Sequence, residues 1–134
     1  MAYRIRWEGH GVYRHFYLDV TGEEFLQAKE EMLSDLRYRG IRYILDDYLD
    51  VETVPELVES YMERYGRTEK LRDVESPDIV RASVATKESM LKLLRYFADR
   101  DLAPYPFAVF ATVAEARTWI AKNPRPEWRK NRPQ

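Results

Sequence analysis

Three aspartates fall within five residues in the stretch IRYILDDYLDVET, residues 41–53: Asp46, Asp47 and Asp50. Carboxylates grouped at a strand end could act as a general base or could hold a hard cation through oxygen ligands. The apolar run before them has strand character, so Asp46 and Asp47 are expected at its carboxyl end, where ligands of open α/β sheets gather. Side chains alternate along a strand, so these two point to opposite faces and at most one serves a given pocket. No Gly-rich loop and no Asp-x-Asp-x-Asp-Gly pattern accompanies them. The favoured expectation is therefore a set of solvated loop acids that support the next helix through its dipole. A hydrolytic enzyme using Asp46 or Asp47 is the lesser alternative.

The other groups with chemistry to offer are two histidines and ten tyrosines. His10 lies between Gly9 and Gly11 and belongs to an exposed turn. His15 shares one strand face with Tyr13 and Tyr17, opposite Val12, Phe16 and Leu18. An orienting acid for His15 is not evident, since Asp19 lies roughly 13 Å further along the strand. Two histidines without a third ligand do not make a metal site. Tyrosine joins apolar area to a polar handle, so the Tyr13–His15–Tyr17 row is a candidate contact surface for a partner protein or a second copy. Were a helix to cover that side of the sheet, the row would be core instead. Nucleophile elbows, phosphate loops and dinucleotide fingerprints are all missing from the sequence, and no serine has a histidine near it.

The composition is that of a soluble globular domain: 134 residues, 45% hydrophobic and 34% charged. One domain is expected over residues 1–123, followed by a basic, Pro-containing tail over 124–134. The net charge is −1, yet residues 122–134, KNPRPEWRKNRPQ, hold five basic residues against one acidic residue. That footprint is too small for a nucleic-acid module. Without cysteine, thiolate metal sites and disulfides are excluded. No apolar run approaches the ~20 residues that span a bilayer. The opening MAYRIRWEGH has strand rather than leader character, so a cytoplasmic location is expected.

Alternation in YRIRWEG and VYRHFYLDV, joined by the glycines of EGHG, predicts an antiparallel hairpin. Thr21-Gly22-Glu23-Glu24 is a capping box, and Phe25, Ala28, Met32 and Leu36 give the helix behind it an apolar face that ends at Gly40. IRYILDD is the third strand. A second box, Thr53-Val54-Pro55-Glu56, opens a helix with Leu57, Val58, Tyr61 and Tyr65 on its stripe. DIVRASVA is the fourth strand, with Thr86 capping a helix that carries Met90, Leu93, Leu94 and Phe97. FAVFA is the fifth, and Thr112-Val113-Ala114-Glu115 opens the last helix. The order ββαβαβαβα predicts an α/β fold: a mixed, mostly parallel five-stranded sheet with about four helices, its crossovers right-handed.

The opening YRIRWEGHGVYRHFYLDVTGEEF, the strand end RYILDDYLDV, the strand VRASVAT and the closing FAVFATVAEARTWI together resemble the SpoIIAA-like, STAS-type family. Small stand-alone bacterial members of that family, without an assigned function, are the nearest likeness. The resemblance covers nearly the whole chain and implies the fold more than the function. It also implies a regulatory module switched by phosphorylation of a Ser or Thr just after the third strand. The matching stretch, DDYLDVETVPE, has no serine. Its one hydroxyl, Thr53, is expected to cap a helix, and the acids around it would repel a phosphate.

The expectation is thus a non-catalytic interaction or regulatory module without cofactor, metal, nucleic acid or stable membrane insertion. It would act through a protein partner or as a homodimer, using the sheet face or edge. Its candidate site residues are Asp46, Asp47, Asp50, Tyr13, His15 and Tyr17. The alternative is a carrier of a small apolar ligand or lipid, with its pocket between the sheet and the helices of residues 54–65 and 87–102.

Overall fold

The computed structural model describes residues 2–53, 79–99 (backbone alone for 97–99) and 106–122. The alternation of YRIRW becomes β1 (Tyr3–Trp7), with Tyr3 buried and Arg4 and Arg6 exposed. Backbone bonds between Glu8 and Gly11 close the turn, and β2 (Gly11–Asp19) returns antiparallel, Tyr3 opposite Phe16 and Trp7 opposite Val12. The capping box forms as predicted. Thr21 Oγ1 accepts from the Glu24 N–H at 3.1 Å, and Glu24 Oε1 accepts from the Thr21 N–H at 3.1 Å. Helix α1 (Gly22–Ser34) then buries Phe25, Ala28 and Met32.

This helix stops six residues before Gly40. The Asp35 carboxylate accepts from the backbone N–H of Arg37 at 2.9 Å and starts a 3-10 turn, Leu36–Gly40. A short acidic side chain competes in this way with the helical ladder. Leu36, expected on the apolar face, is therefore 81% exposed, and Leu33 fills the core in its place.

β3 (Tyr43–Thr53), β4 (Val80–Val84) and β5 (Phe107–Phe110) come next, with helices α2 (Glu88–Asp99) and α3 (Val113–Lys122). The sheet order is β1-β2-β3-β4-β5, antiparallel at the first pair and parallel at the other three. This is the predicted mixed sheet. The helix expected over 54–65 and the tail 124–134 lie outside the described residues. One cap differs from expectation. Leu91 N–H donates to the Lys87 carbonyl at 2.9 Å, so Lys87 rather than Thr86 begins α2. Thr53 is the last residue of β3, and the helix it was expected to cap is the one outside the described residues. Thr112 behaves as predicted, its Oγ1 accepting from the Glu115 N–H at 3.1 Å.

Helices α1 and α2 cover one face of the sheet. Phe16 packs on both Phe25 and Tyr48, with ring centroids at 5.2 and 4.9 Å, in a cluster that includes Met90 and Leu94. Burying a ring such as Phe16 stabilises the fold by roughly 1.5–3 kcal/mol. On the other face α3 seats Ala116 against Leu45, Ala82 and Val84. Leu18 departs from its predicted inward position: its φ is 56° and it is 53% exposed. The left-handed backbone and the shifted β2–β3 register on either side of it break the alternation that held from Val12 to Phe16.

A clamp joins the hairpin turn to the far end of the chain. Arg117 Nη1 and Nη2 donate to the two carboxylate oxygens of Glu8 at 3.0 and 2.8 Å, and the Tyr43 hydroxyl donates to the same group. Tyr43 lies flat against Gly11, where a Cβ would stand 2.3 Å from its ring. Gly11→Ala must push that ring off Glu8 and is expected to cost roughly 1–3 kcal/mol, measured by urea denaturation. The Arg117 hydrogen bonds hold the Glu8 carboxyl down at about 2, against the opposing effect of burial. A depressed carboxyl contributes stability above its unfolded pKa and loses it as pH falls toward its folded one. Melting temperature should therefore fall between pH ~4.5 and ~2, and Glu8→Gln should flatten that part of the profile.

Candidate functional site

The three aspartates do not form a solvated cluster beyond a strand. Asp46 and Asp47 sit within β3, buried on opposite faces, because the strand continues to Thr53. Asp46 is fully buried between two arginines. Arg14 of β2 donates to it from Nε at 2.6 Å and from Nη2 at 2.8 Å, while Arg81 of β4 donates from Nε at 2.9 Å and lies 2.7 Å away through Nη2. Arg14 is itself 0% exposed and Arg81 3%. Burial pushes the Asp46 carboxyl up, but the charges and hydrogen bonds of Arg14 and Arg81 outweigh it and leave the group below the usual carboxylate range. An ionised acid sealed in this way reaches no substrate.

The opposite face gathers the other five candidates. Tyr13 OH donates to Asp47 Oδ2 at 2.5 Å, and Asp47 Oδ1 accepts from the Leu49 N–H at 3.0 Å. Burial first, and then the bond to Asp47, push the Tyr13 phenol well up. His15 Nε2 lies 2.6 Å from Asp50 Oδ2. The orienting acid for His15 thus comes from the neighbouring strand rather than from Asp19. A register shift makes the contact: His15 pairs with Asp47, but Tyr17 pairs with Asp50, so β3 carries one extra residue between them. Such a bulge turns the side chains beyond it.

His15 stacks in a row with Tyr13 and Tyr17, at centroid distances of 6.3 and 5.4 Å. Two arginines of β1 flank the row, Arg6 at 4.7 Å from the Tyr13 ring and Arg4 at 5.5 Å from the Tyr17 ring. α3 reaches only its Tyr13 end, where the Arg117 guanidinium lies 5.9 Å from the ring. Among the described residues a helix therefore covers one end of this face and not the other. Tyr17, His15, Arg4, Asp50 and Leu49 remain partly or largely exposed. Among the described residues no set of three His, Asp or Glu groups is placed to hold a metal ion, and no helix is long and apolar enough to cross a membrane.

Arg14 and Arg81 went unread in the sequence. Strand parity carried a signal for both. Arg14 stands between the inward-facing Val12 and Phe16, and Arg81 interrupts the apolar run of DIVRASVA. A long cation at an inward position calls for a buried counter-charge.

In sequence, no family model and no curated protein matches the chain. Solved structures do. The Bacillus cell fate determinant SpoIIAA in its phosphorylated form superposes with a TM-score of 0.59 at 14% identity, covering 89% of this chain and 99% of its own. The anti-sigma factor antagonist SpoIIAA in its unphosphorylated form gives 0.58 at 12% identity, covering 90% and 98%. The fold is that of SpoIIAA. The resemblance drawn from the opening hairpin and the strand ends is thereby shown for the architecture. Within this fold, the buried triad ties the three central strands, and the Tyr17–His15–Asp50 row lies toward the carboxyl ends of the first two parallel strands.

Removing the Asp46 charge would leave two buried guanidiniums without their shared partner. Asp46→Asn is expected to cost roughly 3–5 kcal/mol, whereas Asp50→Asn at the surface should stay within about 0.5 kcal/mol. Paired urea titrations of the two variants check this.

Proposed function

We propose that this chain is a non-catalytic protein-interaction module built on the SpoIIAA fold, and that it docks its partner on the open end of the Tyr13–His15–Tyr17 face. The observation that carries the reading is the row Arg4, Tyr17, His15 and Asp50: a guanidinium, a phenol, an imidazole and a carboxylate held in mutual contact at the surface. Tyrosine and arginine are the residues most often responsible for binding energy at interfaces, because they offer large rigid area with directed polar groups. Leu49, 40% exposed, and Leu18 add apolar area at the same strand ends. One of the similar solved structures is an anti-sigma factor antagonist, a protein that works against another protein. The absence of serine from DDYLDVETVPE favours a module that is not switched by phosphate at that position.

The burial of Asp46 counts against acid–base catalysis, and the tie of Asp47 to Tyr13 leaves that acid already engaged. A photo-crosslinking residue at position 17, expressed in cells, is expected to form a discrete adduct that the same residue at exposed Leu36 does not. With the captured partner purified, Arg4→Ala combined with Tyr17→Ala should weaken binding by roughly 10- to 30-fold. Equal labelling from positions 17 and 36, or undiminished binding by the double variant, would remove the reading.

A further inference from the structure

Positive charge gathers at the amino ends of β2 and β3. From Met32 to Tyr43 the sequence MLSDLRYRGIRY holds three arginines against one acid. That acid, Asp35, is already engaged: Arg37 donates to its two oxygens from Nε at 2.9 Å and from Nη2 at 2.8 Å. Glu8, the acid of the neighbouring hairpin turn, is held by Arg117, Arg6 and Tyr43. Arg39 and Arg42 are exposed, and their side chains have no counter-charge among the described residues. The Arg42 N–H donates to the carbonyl of exposed His10 at 2.6 Å, and the Arg37 guanidinium lies 4.8 Å from the half-buried Trp7 ring. The 3-10 turn and the hairpin turn thus form one surface.

An apolar tip stands among these cations. The 3-10 turn is anchored by Tyr38, which is 4% exposed, and it leaves Leu36 81% exposed. Residues three apart eclipse one another in such a turn, so Leu36 and Arg39 share a side. An exposed leucine by itself is ordinary. A protruding leucine beside unneutralised guanidiniums matches an anionic lipid surface, which takes the apolar side chain at the headgroup–acyl boundary and the cations at its phosphates.

We propose that this end of the sheet docks reversibly on an anionic lipid surface, with Leu36 inserted and Arg39 and Arg42 on the headgroup phosphates. Two features favour lipid over an acidic protein or a nucleic acid. A peptide segment is taken up by a groove or an open strand edge, and Leu36 stands out from the surface instead. A nucleic acid would use the cations and leave the leucine without a role. The contact is independent of the partner face, because Tyr17 lies roughly 20 Å from Gly11 along β2. Leu36 meets lipid and no protein.

Flotation with vesicles of phosphatidylcholine, alone or mixed equally with phosphatidylglycerol, reads the contact. The protein is expected to float with the mixed vesicles and not with the neutral ones, and to detach as salt rises. Arg39→Gln combined with Arg42→Gln should weaken vesicle binding roughly 10- to 30-fold, and Leu36→Ser roughly 10-fold, with circular dichroism unchanged. Tyr17→Ala should leave flotation unaltered. The chain has no cysteine, so a polarity-sensitive dye on Leu36→Cys reports only its own surroundings. Its emission should shift to the blue with mixed vesicles, and that of the same dye on Asp50→Cys should not. Failure to float at low salt overturns the proposal. So does flotation that survives the double glutamine variant, or an unshifted dye at position 36. Binding to polyglutamate or duplex DNA without binding to vesicles also overturns it and assigns the patch to those partners.

Discussion

The Arg14–Asp46–Arg81 triad sets the terms for the rest of the structure. Taking three charges out of water costs several kcal/mol per ion, and only close, multiple hydrogen bonds offset it. Those bonds require β2, β3 and β4 to stand in one register. Arg14 pairs with Asp46 across β2–β3, and Arg81 reaches the same carboxylate from β4, two residues before the Ser83 that lies opposite Asp46. A slip of one residue would send Asp46 to the other face and strand both guanidiniums in the core. Apolar contacts would tolerate such a slip more easily. The triad thus specifies the alignment of the central strands, while the stacked rings of Phe16, Phe25 and Tyr48 supply much of the apolar burial on the same face.

The other face carries a separate set of polar groups. Adjacent residues of one strand have opposite fates: Asp46 is locked inside, and Asp47 joins the row headed by Tyr13. The extra residue in β3 then brings Asp50 under His15, which strict alternation would not do. The second face is divided by α3, which the Glu8–Arg117 ion pair anchors over the hairpin turn. Its coverage ends near Tyr13, so one end of the aromatic row is part of the fold and the other is surface.

The anchoring of α3 also shapes the far edge. A helix held at Glu8 lies across β3, β4 and β5 with only Ala116 fully buried, so Trp119, Ile120 and the whole of β5 remain half-covered. The N-terminal edge is charged and the C-terminal edge is apolar.

The sequence alone determined the order of elements, the antiparallel hairpin followed by parallel strands, and the starts of α1 and α3, because alternation and Thr-x-x-Glu boxes are local signals that act within a few residues. It also placed Asp46 and Asp47 on opposite faces. It misjudged where α1 ends, since Asp35 diverts the backbone by a side-chain bond that periodicity does not register, and it left Leu18 in the core because alternation cannot foresee a left-handed residue. Only the tertiary structure decided that Asp46 is sealed rather than solvated, that His15 finds its acid on the adjacent strand, and that a helix covers half of the second face. Each of these depends on which strands lie side by side and in what register; parity can mark an inward arginine, but local spacing does not name the partner more than thirty positions away.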